Sequence, residues 1–309
     1  MKTDYYPEGI LYGTGENAAY VSGLSGLTEA YRTGTVIEEK PIMSTSAHEL
    51  VFAFGGHTAV MAREDCEYAP EGREIKDIAV ISRVNKPTCF VVTDMDMTAG
   101  EPRIVISRRE AQRRFVSFAC ANLRPGDVMG ARVTHLEPFG AFVDVGCGVV
   151  SLIPTESISV SRISHPADRF ERGQDILVVL KGIDRGSGRF FVSHKELLGT
   201  WEENAAAFCA GQTVMGVIRS VESYGVFVEL APNLVGLCEY RPDAVINRLA
   251  AVYIKSIIPE KMKIKLSIVE LFREKDAPHP LDYFVLDHID CWRYTPKGYE
   301  KRIIEERFG

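Results

Sequence analysis

The sequence has little of what catalytic, metal-binding or membrane-spanning proteins need. Its seven cysteines, Cys66, Cys89, Cys120, Cys147, Cys209, Cys238 and Cys291, are odd in number, scattered and never spaced as C-x-x-C. That pattern argues against both a disulfide framework and a zinc site, so most are expected to be small buried hydrophobes. The seven histidines have neither metal-ligand spacing nor triad context and are expected to be structural or surface residues. No catalytic residue, metal ligand, cofactor or small-molecule substrate is expected. No run of about 18 apolar residues could span a membrane. The opening MKTDYYPEGI lacks the basic-then-apolar order of a secretory signal, so the expected setting is cytoplasmic, without membrane.

An excess of positive charge is also missing: the net charge is −6 over 309 residues. Taken over the whole chain, that counts against a nucleic-acid partner. The acid is unevenly placed, however. Residues 33–112 carry 9 basic against 13 acidic side chains, a net of −4, whereas 124–198 carry 9 against 9 and 210–270 carry 7 against 6. The length suits two or three domains, each with its own core.

Internal repetition is present. VMGARVTHLEPFGAFVDV (128–145) returns as VMGVIRSVESYGVFVEL (214–230), one residue shorter before the aromatic. GIDRGSGRFFVSHKEL (182–197) matches SIIPEKMKIKLSIVEL (256–271) without a gap, and EPRIVISRREA (101–111) is a third copy of its end. Ser107, Ser193 and Ser267 each precede Glu110, Glu196 and Glu270 by three positions, the S-x-x-E capping box that starts a helix. Each repeat is therefore expected to end as strand, then helix. Short β-branched or aromatic runs broken by turn residues, in units of about 60 to 75 residues, predict a small closed barrel repeated along the chain.

Within EPFGAFVDVG (137–146), Phe139 and Phe142 flank Gly140 in what reads as one strand. Positions three apart face opposite sides of a regular strand, so a bend at Gly140 is expected to bring the rings to one surface. A lone strand aromatic is usually core. Here the pair recurs at Tyr224 and Phe227, and a cation stands four residues before each capping serine: Arg103, Arg189 and Lys263. Displayed rings can stack on bases, and the cations can offset phosphate charge. The competing reading makes the cations ordinary solvated strand residues.

The order G-x-V-x-x-I-x-x-(F/Y)-G-A-F-V, a G-L-I stretch, I-D, a basic residue and L-S-x-K-E resembles the RNA-binding repeat of bacterial small-subunit ribosomal protein S1. It covers residues 124–270 well; Gly216, Ile218, Val221, Tyr224, Gly225 and Phe227 fall on the spacing directly. The resemblance implies a five-stranded OB-fold barrel per repeat, with single-stranded RNA lying across one face. It assigns Phe139, Phe142, Asp184 and Arg189 of the middle repeat, and Tyr224, Phe227 and Lys263 of the rear one, to that face. Pro154 and Glu239 stand where the family has a histidine, and Ile258 where it has the aspartate. Asp184 reads equally well as a turn former. The rear repeat is also about 11 residues shorter, so part of its groove is expected to be trimmed.

The expected fold is mainly β: three tandem five-stranded OB-fold barrels, the first degenerate, joined by short helices. The expected divisions are an N-terminal segment (1–33), a degenerate barrel (34–112), a helical linker (113–123), the middle repeat (124–198), a second helical linker (199–209), the shortened rear repeat (210–270) and an aromatic C-terminal segment (271–309). The first unit lacks (F/Y)-G-x-F, and its acidic face is expected to meet protein, the small ribosomal subunit, rather than RNA. Trp292 and Tyr294 are expected to pack against the rear barrel. The resulting expectation is a non-enzymatic binder of single-stranded RNA, messenger RNA in particular, acting in translation. Alternatives are a free RNA chaperone or post-transcriptional regulator only transiently on the ribosome, and a protein-interaction scaffold that has lost RNA binding. A nuclease would need clustered carboxylates or histidines that no segment supplies.

Overall fold

The structure, a computed structural model, describes residues 5–69, 74–98, 102–275, 281–299 and 301–309. Glu101, which opens the third copy of the repeat ending, and 276–280 within the C-terminal segment lie outside the described residues.

Two short helices lead in, α1 (Gly15–Val21) and α2 (Leu24–Thr33), the first capped by the Thr14 hydroxyl. The first unit follows with β1 (Ile37–Glu39), β2 (Met43–Ser44), β3 (Leu50–Phe54), β4 (His57–Met61), a short helix α3 (Asp77–Ile81), β5 (Thr88–Asp96) and β6 (Arg103–Ser107). Helix α4 (Arg108–Asn122) links it to the middle barrel, β7 (Val128–Glu137), β8 (Gly140–Asp144), β9 (Val150–Pro154), β10 (Asp175–Asp184) and β11 (Arg189–Ser193). After α5 (Trp201–Ala205) comes the rear barrel, β12 (Thr213–Glu222), β13 (Gly225–Ala231), β14 (Leu234–Cys238), β15 (Arg248–Ile258) and β16 (Lys263–Lys275). The hairpin β17 (Cys291–Arg293) with β18 (Glu305–Arg307) completes the chain.

The middle and rear barrels close identically, in spatial order β7-β8-β9-β11-β10 and β12-β13-β14-β16-β15. In each, the third and fifth strands run parallel. This is the five-stranded Greek-key barrel of the OB-fold. Strand patterning follows the pleat: Arg189, Phe190, Phe191 and Val192 alternate out, in, out, in.

The first unit has the same course with one fault. Its sheet is ordered β1-β5-β6-β4-β3-β2, and the edge strands β1 and β2 are successive pieces of one extended segment interrupted at 40–42. One piece pairs with β5 and the other with β3. Pro41 lies in the break, and without an N–H it cannot donate to a ladder.

The common serine-to-glutamate signal has three outcomes. The Ser107 hydroxyl accepts the Glu110 N–H at 3.0 Å and starts α4, as expected. Ser193 instead donates to the Ser157 carbonyl; a 3-10 turn, Lys195–Leu198, follows without a side-chain cap, and the α-helix begins later at a reciprocal box between Thr200 and Glu203. Ser267 starts no helix, because β16 runs on to Lys275 against the long β15. A neighbouring strand that supplies ladder partners removes the need for a cap.

The units are packed together. Phe115 of α4 stacks on Phe190 of the middle barrel, with centroids 5.3 Å apart at 7°. Between the middle and rear barrels, Arg169 and Arg219 both donate to the buried carboxylate of Glu229. Burial alone would push Glu229 up, but the two guanidiniums more than offset it and hold its carboxyl below the usual range. The C-terminal segment straps this seam: Ile289 N–H donates to the Gly126 carbonyl, Phe284 N–H to Leu197, and the Tyr294 hydroxyl to Asn233. Trp292 and Tyr294 are buried in the rear core, as the sequence led us to expect. Four cysteines, Cys66, Cys89, Cys147 and Cys238, are buried, and all seven are free thiols. No described helix is long and apolar enough to cross a membrane.

Candidate nucleic-acid interface

The two aromatic pairs are built alike. β7 and β8 are joined by a two-residue turn, Pro138-Phe139, with Glu137 paired to Gly140; Ser223-Tyr224 joins β12 and β13 in the same way. Phe139 therefore occupies a turn rather than a strand, and no bend at Gly140 is needed. The glycine is required for another reason: a Cβ there would lie 2.4 Å from the Ile153 carbonyl oxygen, and at Gly225 one would lie 2.5 Å from that of Cys238. The hairpin mouth packs against the third strand so closely that only glycine fits.

This geometry brings the rings together on the outside. Phe139 and Phe142 meet edge to face, centroids 6.0 Å apart at 89°; Tyr224 and Phe227 do so at 6.1 Å and 87°. Phe139 is 58% exposed and Tyr224 68%, while Phe142 and Phe227 are half-buried. The rings are displayed.

Register extends each pair into a row across the barrel. Phe142 is paired with Leu152 on β9, and Leu152 with Phe191 on β11. Phe191 is 55% exposed, a third outward ring that reading the sequence missed. The corresponding row in the rear barrel is Phe227, Leu237 and Lys265, so a cation replaces the third ring. In the first unit the row is Val51, Val60 and Val105, without an aromatic.

The matched cations occupy one structural position. Arg103 pairs across its hairpin with Asp96, Arg189 with Asp184, and Lys263 with Ile258. Arg189 and Lys263 are exposed and form no ion pair with a described residue. Each lies two residues before the row residue of its strand, and so on the same face. Asp184 accepts from the Gly186 N–H and the Ser187 hydroxyl, and these bonds, the hydroxyl's first, hold its carboxyl below the usual range. It forms the β10–β11 turn, and its carboxylate is engaged there.

The trimmed stretch of the rear repeat is the crossing from β14 to β15, residues 239–247, against 155–174 in the middle barrel. A groove of about 600 Å³ remains beside it, lined by Tyr224, Phe227, Lys261, Lys263 and Lys265, with Tyr299 of the C-terminal segment. Lys255, on the same groove, is paired with Glu239 at 3.0 Å. Among the described residues no cluster of three or more His, Cys, Asp or Glu could hold a metal.

Fold and site thus define a chain of OB-fold barrels, two of which present an outward aromatic pair beside a cation that forms no ion pair with a described residue. The resemblance read from the sequence holds: residues 122–195 match the S1 RNA binding domain family. The chain is 30% identical over 193 residues to small ribosomal subunit protein bS1 of Leuconostoc lactis, covering 57% of this chain and 45% of that protein. It is 33% identical over 172 residues to the bS1 homolog of Bacillus cereus, covering 52% and 44%. The matches thus span less than half the length of these relatives. Among solved structures, a multidomain protein with nucleic acid binding domains from Streptococcus pneumoniae is 14% identical, with 76% of this chain and 73% of that one covered, at a TM-score of 0.25.

Proposed function

We propose that the chain binds single-stranded RNA, messenger RNA in particular, and acts in translation in the cytoplasm as a non-catalytic protein of the ribosomal S1 type. One observation carries this reading: two barrels repeat the same outward edge-to-face aromatic pair, with an exposed cation on the same face. Each nucleobase offers a π-face to such a ring, worth about 1 to 3 kcal/mol per base, whatever its identity. The binding residues are Phe139, Phe142 and Arg189 in the middle barrel and Tyr224, Phe227 and Lys263 in the rear one. Asp184 contributes by shaping the turn that presents Arg189. The acidic first unit, with an aliphatic row in place of rings, turns toward protein, and the small ribosomal subunit is its proposed partner.

The test is a titration of fluorescent single-stranded RNA at two salt concentrations, with the full chain and with Phe139→Ala, Phe142→Ala. The double variant is expected to lose about 2 to 6 kcal/mol of binding while the salt dependence stays nearly unchanged. A variant that melts like the parent and binds equally well would overturn the reading.

A further inference from the structure

Three hollows on the surface share their walls. One, of about 660 Å³, begins at Thr155, whose N–H donates to the Phe139 carbonyl at 3.1 Å and whose hydroxyl donates to that of Pro138. It shares Val160, Ser161, Arg162, Arg302 and Ile304 with a second, of about 480 Å³. The second shares Tyr224, Phe227, Val235, Met262 and Tyr299 with the lysine-lined groove of the rear barrel. A continuous trough therefore leads from the middle barrel's aromatic turn to the rear barrel's cations.

We infer that this trough is the path of one RNA strand across both barrels, and that Tyr299 and Arg302 of the C-terminal segment form part of its floor. The inference rests on the RNA-binding reading above. The C-terminal segment contributes a half-buried ring, Tyr299, to the lining of both hollows that Tyr224 and Phe227 line. Arg302 and Arg162 are exposed, stand where two hollows meet, and form no ion pair with a described residue. The carboxylates lining the two hollows nearer the middle barrel are Glu156 and Glu222, so the crossing is not acidic. The rear ring pair at one end, the turn that carries Phe139 beside the other, and between them guanidiniums without an ion pair to any described residue suit the bases and phosphates of a single strand.

The segment also stands where the rear repeat is shortened. The β9–β10 crossing carries two short helical turns, Thr155–Ser157 and Pro166–Asp168, that the β14–β15 crossing lacks. Tyr299 now lines the groove beside that shorter crossing.

The experiment compares oligouridylates of about 6 nucleotides, near the lower footprint of one OB-fold, and about 20, enough for two. It uses the full chain, Tyr299→Ala with Arg302→Ala, the conservative pair Tyr299→Phe with Arg302→Lys, and a thermal melt for each. The alanine pair is expected to bind the short RNA like the parent, to lose about tenfold on the long one, and to lower the long-RNA salt slope by about 0.7. The conservative pair is expected to restore both. If the alanine pair is poorly folded, Arg302→Gln alone carries the slope measurement. Parent-like binding of both lengths by a folded alanine pair, or by Arg302→Gln, overturns the path through the C-terminal segment. A parent chain that binds neither RNA overturns the RNA-binding reading itself.

Discussion

Phe191 on β11 stands in the same cross-barrel row as Phe142 on β8, with Leu152 between them, so the middle barrel displays three rings where its sequence motif announces two. On the proposed function, the third ring is expected to make that barrel the stronger stacking surface of the two. Phe191→Ala is expected to weaken RNA binding by about 1 to 3 kcal/mol. Because the ring is 55% exposed, the melting temperature should hardly move. Equilibrium titration with parallel melts checks both.

Arg189 is expected to act through charge. Counterion release on single strands contributes a slope of about 0.7 in log affinity against log salt for each neutralised phosphate. Arg189→Ala should reduce the slope by about that amount, with a smaller loss at moderate salt than either ring removal causes. Titrations across a salt series separate the two effects.

The seam between the barrels is a place where stability is expected to fail. Glu229 is buried and receives both Arg169 and Arg219, so Glu229→Ala leaves two buried guanidiniums without their counter-ion. The expected loss is about 3 to 5 kcal/mol in chemical denaturation. Arg219→Ala should cost less, because Arg169 still neutralises the carboxylate.

A second charged cluster makes stability depend on pH. Glu8 bonds Arg83 and Arg108, and although burial alone would raise it, those cations hold it at about 2. Asp144 and Glu38 lie nearby; burial first, and the charge of Glu8 with it, pushes each up to about 7. An ordinary unfolded carboxyl titrates near 4, so between about pH 4 and 7 the native state holds the extra protons at Asp144 and Glu38. Their contribution is present below pH 4 and is lost as pH rises through 7. That of Glu8 runs the other way, present above 4 and lost toward 2. Thermal melts should therefore decline from pH 5 to 8, and Asp144→Asn should flatten the decline.

What the sequence disclosed, and what it hid, has a physical pattern. The barrels, the paired aromatics and the matched cations were legible because they repeat, and the sheet places each copy in the same register. Phe191 escaped because it stands beside Phe190. Two adjacent rings give no clue which one points inward until the pleat is fixed. Phe139 reads as a strand residue only if the apolar run is given more weight than the turn signal of EPFG, proline second and glycine fourth. Ser267 carries the same helix signal as Ser107, but whether the signal is used depends on the length of a distant strand, β15. Tyr299 and Arg302 lie far along the chain from the rings whose hollows they line, and no motif links them.

The clamp of Arg169 and Arg219 on Glu229 also governs how two modest surfaces combine. Barrels on a flexible tether would meet a strand independently, and the second encounter would be diluted by every conformation of the tether. Here the clamp and the strap over the seam fix the spacing in advance. On the proposed function, once one barrel held a strand the other would see it at a high local concentration. On that function, the same rigidity would make the pair a molecular gauge: strands too short to reach both surfaces would gain nothing from the second, so length rather than base order would become the property selected.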